Sequence, residues 1–241
     1  MPRRFQYFAA LLFLLWPGFA SAQPPLVFTG IENSSYTEIS ERVMREAYGR
    51  LGIPVSFSRL PAARALVVSN SGKADGELYR IRNIHREYPN LIMIPVPIGV
   101  VEGVALTVKP EISLADWDRL RAHRVCIRNG VKFAEAGTRG MEVYIANSND
   151  HLFAMLGKGR CDVIVMARLT SLALAQDFTR RSGKPVRYHL LQTYPLFHYL
   201  HRKNEHLVPV LTQVLKAMQA DGTIARIRQR YIEEITPGTG A

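Results

Sequence analysis

The feature that most constrains this chain is a repeated turn. Gly72-Lys73-Ala74-Asp75-Gly76-Glu77-Leu78 has an echo in Gly159-Arg160-Cys161-Asp162-Val163-Ile164-Val165. Each copy follows an apolar run with helical spacing. Each then leads, through a glycine, a basic residue and an aspartate, into a short apolar stretch that reads as a buried strand. A helix stopped by glycine and followed by such a strand is the return leg of a βαβ unit. Two such legs imply two α/β halves built alike, and open α/β sheets hold ligands beyond the carboxyl ends of their strands. The residues just after each copy are therefore the first candidates for a binding surface.

The amino terminus has to be set aside before the fold is considered. Met1-Pro2-Arg3-Arg4 is a basic segment, Tyr7 to Trp16 is apolar but too short to span a bilayer, and Ala20-Ser21-Ala22 has the small residues of a cleavage site. Residues 1–22 are expected to be a signal peptide, the mature chain to begin at Gln23, and the protein to reside in the periplasm. The remaining length, with 47% hydrophobic and 21% charged residues over the whole sequence, suits a globular protein with substantial cores. Net charge is +11, or +9 without Arg3 and Arg4. The arginines are scattered rather than gathered into an aromatic-studded stripe, which argues against a nucleic-acid partner. Cys126 and Cys161 fit one disulfide in an oxidising compartment, and equally fit two buried thiols on adjacent strands.

Along the chain, Pro25 to Gly30 is extended. Ser35 and Glu38 have capping-box spacing, and Ile39, Val43, Ala47 and Leu51 recur every four residues as the face of a helix. Ile53 to Ser58 reads as a strand, and Pro61 opens a helix that runs to about Ser69. Leu91 to Ile94 and Val100 to Val108 are two extended runs set off by prolines, the first crossing between the halves. Leu114 to Arg121 is predicted to be helical, Val125 to Ile127 a strand, Val131 to Ala136 a helix, and Met141 to Ile145 a strand. Ser148-Asn149-Asp150 opens a further helix, and Leu169 to Phe178 is another. Pro185 to Leu191 is extended and Pro195 to Arg202 is the return crossing. Two helices, Glu205 to Gln219 and Thr223 to Tyr231, close the chain.

Leu200-His201-Arg202-Lys203-Asn204-Glu205, then Leu215-Lys216-Ala217-Met218-Gln219-Ala220-Asp221-Gly222-Thr223-Ile224 with Ile227 and Tyr231 beyond, resembles the carboxyl-terminal signature of the periplasmic solute-binding proteins of the polar amino acid uptake type, the family 3 extracellular solute-binding proteins. The two Gly-basic-x-Asp turns and Val125 to Gly130 sit where that family has them. The resemblance runs from about residue 25 to residue 233. It implies an α/β, two-lobe periplasmic binding protein fold of type II with two hinge strands: lobe 1 from residues 23–100 and the carboxyl-terminal helices 199–235, hinge strands and lobe 2 from 101–198, and a loose tail at 236–241. It further implies a monomer whose cleft closes over a small-molecule solute. Delivery would be to an inner-membrane ABC permease, or the protein would serve as a ligand-binding sensory module beside a sensor protein. Family members place an aspartate five residues after the aspartate of the second turn, where it meets the ligand ammonium. This chain has Ala167 there. The family arginine that grips the ligand carboxylate corresponds to Arg80, Arg82 or Arg86.

Among individual residues, Arg80 is the first choice for an anion contact, since it follows a strand end and a guanidinium holds a carboxylate through two parallel hydrogen bonds. Glu77 is either a contact for a cationic ligand group or the neutralising partner of an arginine. The turn Asn129-Gly130-Val131-Lys132, flanked by Arg128, suits an anion if a helix begins there. Ser148 and Asn149 are contacts or helix caps. Tyr36, with Tyr79 and Tyr194, offers a ring to an apolar part of a solute, and Glu32 stands at the end of the first strand. The seven histidines show no metal-ligand spacing, and no cofactor motif is present. Nothing matches Gly-x-Ser-x-Gly, a phosphate-gripping loop or an anchored cysteine-histidine pair, so an enzyme is not expected.

Overall fold

The structure, a computed structural model, describes residues 24–236. The expected signal peptide and residues 237–241 of the expected tail lie outside them. The first half opens with β1 (Leu26–Ile31), α1 (Ser35–Gly49), β2 (Val55–Leu60), α2 (Ala62–Asn70) and β3 (Gly76–Arg80). One long strand, β4 (Leu91–Thr107), leads into β5 (Val125–Arg128), α3 (Lys132–Gly137), β6 (Val143–Ala146), α4 (Asn149–Gly157), β7 (Val163–Ala167) and α5 (Arg168–Ser182). A second long strand, β8 (Arg187–His201), returns to α6 (Val208–Ala220) and α7 (Thr223–Ile235).

The eight strands form one sheet in the order β2-β1-β3-β8-β4-β7-β5-β6. Its centre is the antiparallel ladder of β4 and β8, which runs from Leu91 opposite His201 to Thr107 opposite Arg187. At one end of this ladder β8 pairs with β3, and β1 lies parallel between β3 and β2. At the other end β4 pairs with β7, and β5 lies parallel between β7 and β6. The two outer triplets are thus alike, each a parallel set fed by helices, and only β4 and β8 belong to both.

The repeated turn explains the likeness. Asp75 takes the Val27 N–H on its side chain at 2.7 Å and donates its own N–H to the Val27 carbonyl at 2.7 Å. Asp162 does the same for Arg124, at 3.0 and 2.8 Å. Each aspartate therefore ties the strand it begins to the start of the first strand of its own half. Lys203 adds charge at Asp75, while Arg124 and Lys109 do so at Asp162. Both carboxyls are held below the ordinary range despite opposing burial, Asp75 by hydrogen bonds from Val27, Asn204 and Lys203 and Asp162 chiefly by Arg124. Gly76, which follows the first aspartate, has no room for a side chain: a Cβ there would overlap the Tyr199 carbonyl of β8.

Cores lie on both faces. The α1 stripe Ile39, Val43, Met44 and Ala47 is buried with Phe28 and Leu78. In the other half a disulfide joins Cys126 to Cys161, with Cα atoms 5.8 Å apart, among Leu152, Phe153, Leu156 and Ile164. Three sequence expectations change. The proline-bounded runs 91–94 and 100–108 are one strand, whose register shifts twice around Pro97, where a missing N–H is tolerated, and once more at Gly103. The predicted helix from Leu114 to Arg121 is only a 3₁₀ segment, Asp118–Ala122, because Leu114, Trp117 and Leu120 recur every three residues rather than every 3.6. The helix predicted from Glu205 begins at Val208, after a 3₁₀ segment over Arg202–Leu207.

Candidate functional site

The carboxyl ends of β3 and β7 face one another where the two halves meet, with β4 and β8 forming the floor. They enclose a cavity of about 60 Å³. Tyr79, Arg80 and Ile81 come from the first copy of the repeat, and Val165, Met166 and Ala167 from the second. Ile31, Ser34 and Tyr36 reach it from the β1–α1 connection, Arg128, Val131, Lys132 and Phe133 from the β5–α3 turn, and Asn149 and Leu152 from α4. Thr170, Val101 and Leu196 complete the wall. Most of this surface is aliphatic or aromatic, and among the described residues no aspartate or glutamate lines it.

The halves touch through polar contacts around the cavity. Asn33, in the left-handed region at φ 52° that asparagine tolerates, offers its carbonyl to Asn149 Nδ2 at 2.9 Å. The Ser35 N–H at the start of α1 donates to Thr170 Oγ1 at 3.2 Å. Gly130 packs so tightly that a Cβ would overlap the backbone of Ala62 and Ala63, and its φ of +79° also favours glycine. The described arrangement is a closed one.

The three cations of the lining differ in what already holds them. Arg80, 3% exposed, gives Nε and Nη2 to Glu77 Oε1 at 2.9 and 2.7 Å, Nη2 to the Ala62 carbonyl at 2.9 Å, and Nη1 to the Gly130 carbonyl at 3.1 Å. It is a cross-brace between the halves. Glu77 is fully buried away from the cavity, where Thr29 and Ser69 donate to its second oxygen at 2.5 and 3.2 Å. Burial pushes its carboxyl upward, and Arg80 with the two hydroxyls opposes the rise. Lys132 bridges Glu87 and Glu135 at 2.7 and 2.8 Å, and those carboxylates raise its pKa against the opposing effect of burial.

Arg128 is held far more loosely. Nη1 reaches the Glu32 carbonyl at 3.2 Å and Asn149 Oδ1 at 3.5 Å, while Nη2 is 3.5 Å from Glu32 Oε1. Its Nε has no partner although the side chain is only 4% exposed, and burial lowers its pKa. Tyr36, 2% exposed, has a hydroxyl that the Leu169 and Glu102 backbone N–H groups approach as donors but that finds no acceptor for its own proton. Buried donors of this kind each cost about 1–3 kcal/mol unless something accepts from them.

Of the residues singled out in the sequence, Tyr36, Arg80, Arg128, Val131, Lys132 and Asn149 line the cavity. Glu32, Glu77, Gly130 and Ser148 do not: Glu32 faces Arg128 from outside, and Ser148 caps α4 by accepting from His151 N at 3.1 Å. The turn at Gly130 does not offer a free N–H, since Glu135 Oε1 takes it at 2.6 Å. Arg82 and Arg86 are exposed, and Arg82 stacks on Phe197 at 4.6 Å. Phe133, Leu152, Met166, Thr170 and Leu196 escaped the sequence reading. Only Met166, beside Ala167 after the second turn, lay within reach of the motif.

No family model matches the chain. A protein of Shewanella oneidensis of uncharacterised role is 26% identical over 207 residues, 83% of this chain and 78% of that protein. Among solved structures, a histidine kinase sensor domain described as similar to periplasmic binding proteins superposes with a TM-score of 0.73 at 14% identity, covering 87% of this chain and 96% of that one. An arginine transport system periplasmic binding protein from Legionella pneumophila gives 0.68 at 15% identity, covering 86% and 99%. The chain has the periplasmic binding protein fold. The neighbours that share it include amino acid-binding periplasmic proteins.

Proposed function

We propose that this protein is exported to the periplasm and binds a small polar solute between two lobes that close over it, handing the solute to an inner-membrane ABC importer. The observation that carries this reading is the cavity at the junction of the halves, lined from both by the carboxyl ends of β3 and β7 and by Arg128, the one lining cation among the described residues not tightly paired with a carboxylate. Lobe 1 comprises residues 23–100 and 199–235, and lobe 2 with the hinge strands 101–198. With only β4 and β8 shared between the halves, rotation about those two strands is the least costly motion. The protein works as a monomer and performs no catalysis.

A second reading is a ligand-sensing module without a dedicated importer, which the likeness to the kinase sensor domain favours. A thermal-shift screen against amino acids, carboxylates, polyamines, sugars and phosphorylated solutes tests the shared part of both readings, because a ligand that binds only the native state raises its melting temperature. Silence across the whole set contradicts them. Uptake of a confirmed ligand by cells lacking this protein separates the two: lost uptake means transport, and unchanged uptake with lost transcriptional response means sensing.

A further inference from the structure

The cleft read above as a solute site has a chemistry of its own. An α-amino acid enclosed in a dry cleft presents an ammonium that needs a carboxylate or several free acceptors. The lining supplies no carboxylate among the described residues, and its serine and threonine hydroxyls each already make a hydrogen bond. Ala167 occupies the end of β7, Ser34 Oγ is engaged with the Tyr79 hydroxyl at 2.8 Å, and Thr170 Oγ1 takes the Ser35 N–H. Of the nearby carboxylates, Glu77 is committed to Arg80, and Glu87 and Glu135 to Lys132, while Glu32, 3.5 Å from Arg128 Nη2, and Glu102, 3.8 Å from Arg168, stand outside the lining. What the cavity does offer is donors: the Nε of Arg128 and the hydroxyl of Tyr36, both buried and both without an acceptor. The Nε–H and the adjacent Nη2 form one edge of the guanidinium, the geometry that receives both oxygens of a carboxylate. The rest of the wall is hydrocarbon.

We propose that the cleft takes a small monocarboxylate with an apolar body and no ammonium group, its carboxylate on the Nε edge of Arg128 and an oxygen accepting from Tyr36. This rests on the cleft being the solute site. It assigns the anion to Arg128, because Arg80 is consumed by Glu77 and two carbonyls.

A matched set of three probes of one hydrocarbon shape tests it: 4-methylpentanoate, L-leucine and 3-methylbutylamine, titrated calorimetrically into the exported protein. The acid is expected to bind at least tenfold more tightly than L-leucine, and the amine to give no heat. Arg128→Gln is expected to abolish acid binding. Should that variant not fold, Tyr36→Phe decides: loss of the hydroxyl weakens acid binding at least threefold. A merely structural role for Tyr36 would leave affinity unmoved, and that result overturns the proposal. Equal or tighter binding of L-leucine overturns it too, while leaving the cleft as the site. If none of the three binds, the proposal fails; a response to some other solute in a mixed library then preserves the cleft reading, and silence across the library removes both.

Discussion

Replacing Arg80 with methionine keeps an unbranched aliphatic stem but removes the guanidinium and its charge, leaving Glu77 buried beside two hydroxyls without its counter-ion. The carboxyl can escape only by taking a proton. Starting from an ordinary value of 4.5, that costs up to about 3.4 kcal/mol at pH 7 and about 0.7 kcal/mol at pH 5, at 1.36 kcal/mol per unit. The hydrogen bonds to the Ala62 and Gly130 carbonyls add about 1 kcal/mol each at either pH. A carboxyl raised in the folded state binds more protons there than in the unfolded chain. Its stability therefore falls as pH rises above 4.5, and the deficit of the variant relative to wild type grows from pH 5 to pH 7. Urea unfolding at the two pH values should show the deficit shrinking by up to about 2.7 kcal/mol on acidification, the wild-type carboxyl being itself somewhat raised. At pH 7 the charge effect alone lowers the melting temperature by at most roughly 7–14 °C for a chain of this size. Adding Glu77→Gln to Arg80→Met should recover most of the loss and abolish its pH dependence. A deficit equal at both pH values, or strictly additive single and double variants, would refute the account of this pair.

His198 is wholly buried between Phe28 and Tyr48, with Nδ1 facing the Leu78 carbonyl at 3.2 Å and Nε2 facing the Tyr48 hydroxyl at 3.1 Å, and burial lowers its pKa to about 4. Its neutral form is stable above pH 6.5, so acidification from pH 7 to 5 should cost about 2 kcal/mol in chemical denaturation, and His198→Gln should flatten that slope. The Asp75 and Asp162 carboxyls, held low, contribute only below that window. Reducing the Cys126–Cys161 bridge, which spans 35 residues, should lower stability by about 4 kcal/mol on chain-entropy grounds. An unchanged urea midpoint after reduction would contradict that figure. Gly130→Ala should enlarge the radius of gyration of the ligand-saturated protein and weaken ligand binding at least tenfold, because its Cβ meets the opposite half. Gly140→Ala, at a similar φ of +76° but in open space, carries only the backbone strain and should do neither.

The halves were legible because their signal is local. A glycine, an aspartate and an apolar run are adjacent in the chain, and the α1 stripe has the helical period, so the parallel triplets could be drawn from sequence. The long strands were legible only as fragments, since the prolines in β4 look like ends until β8 pairs with them. The site was harder for the same reason. Arg80 and Arg128 are both basic residues after a strand, and nothing in their neighbourhoods says which is consumed. Glu77 stands three residues before Arg80 and could be paired with it on spacing, but the Gly130 and Ala62 carbonyls that complete its shell come from 50 and 18 residues away. Likewise the N–H of Gly130 looks free until Glu135 turns back to it.

The most direct test of closure over a solute is a distance measured across the cleft. Val67 on α2 and Ile145 on β6 are exposed, 60% and 51%, and lie in opposite halves. Spin labels at these two positions should report a long or broad distance distribution in the free protein. On saturation with a ligand identified by thermal shift, it should give way to a shorter, narrow one. An identical distribution with and without such a ligand would contradict closure as the mechanism.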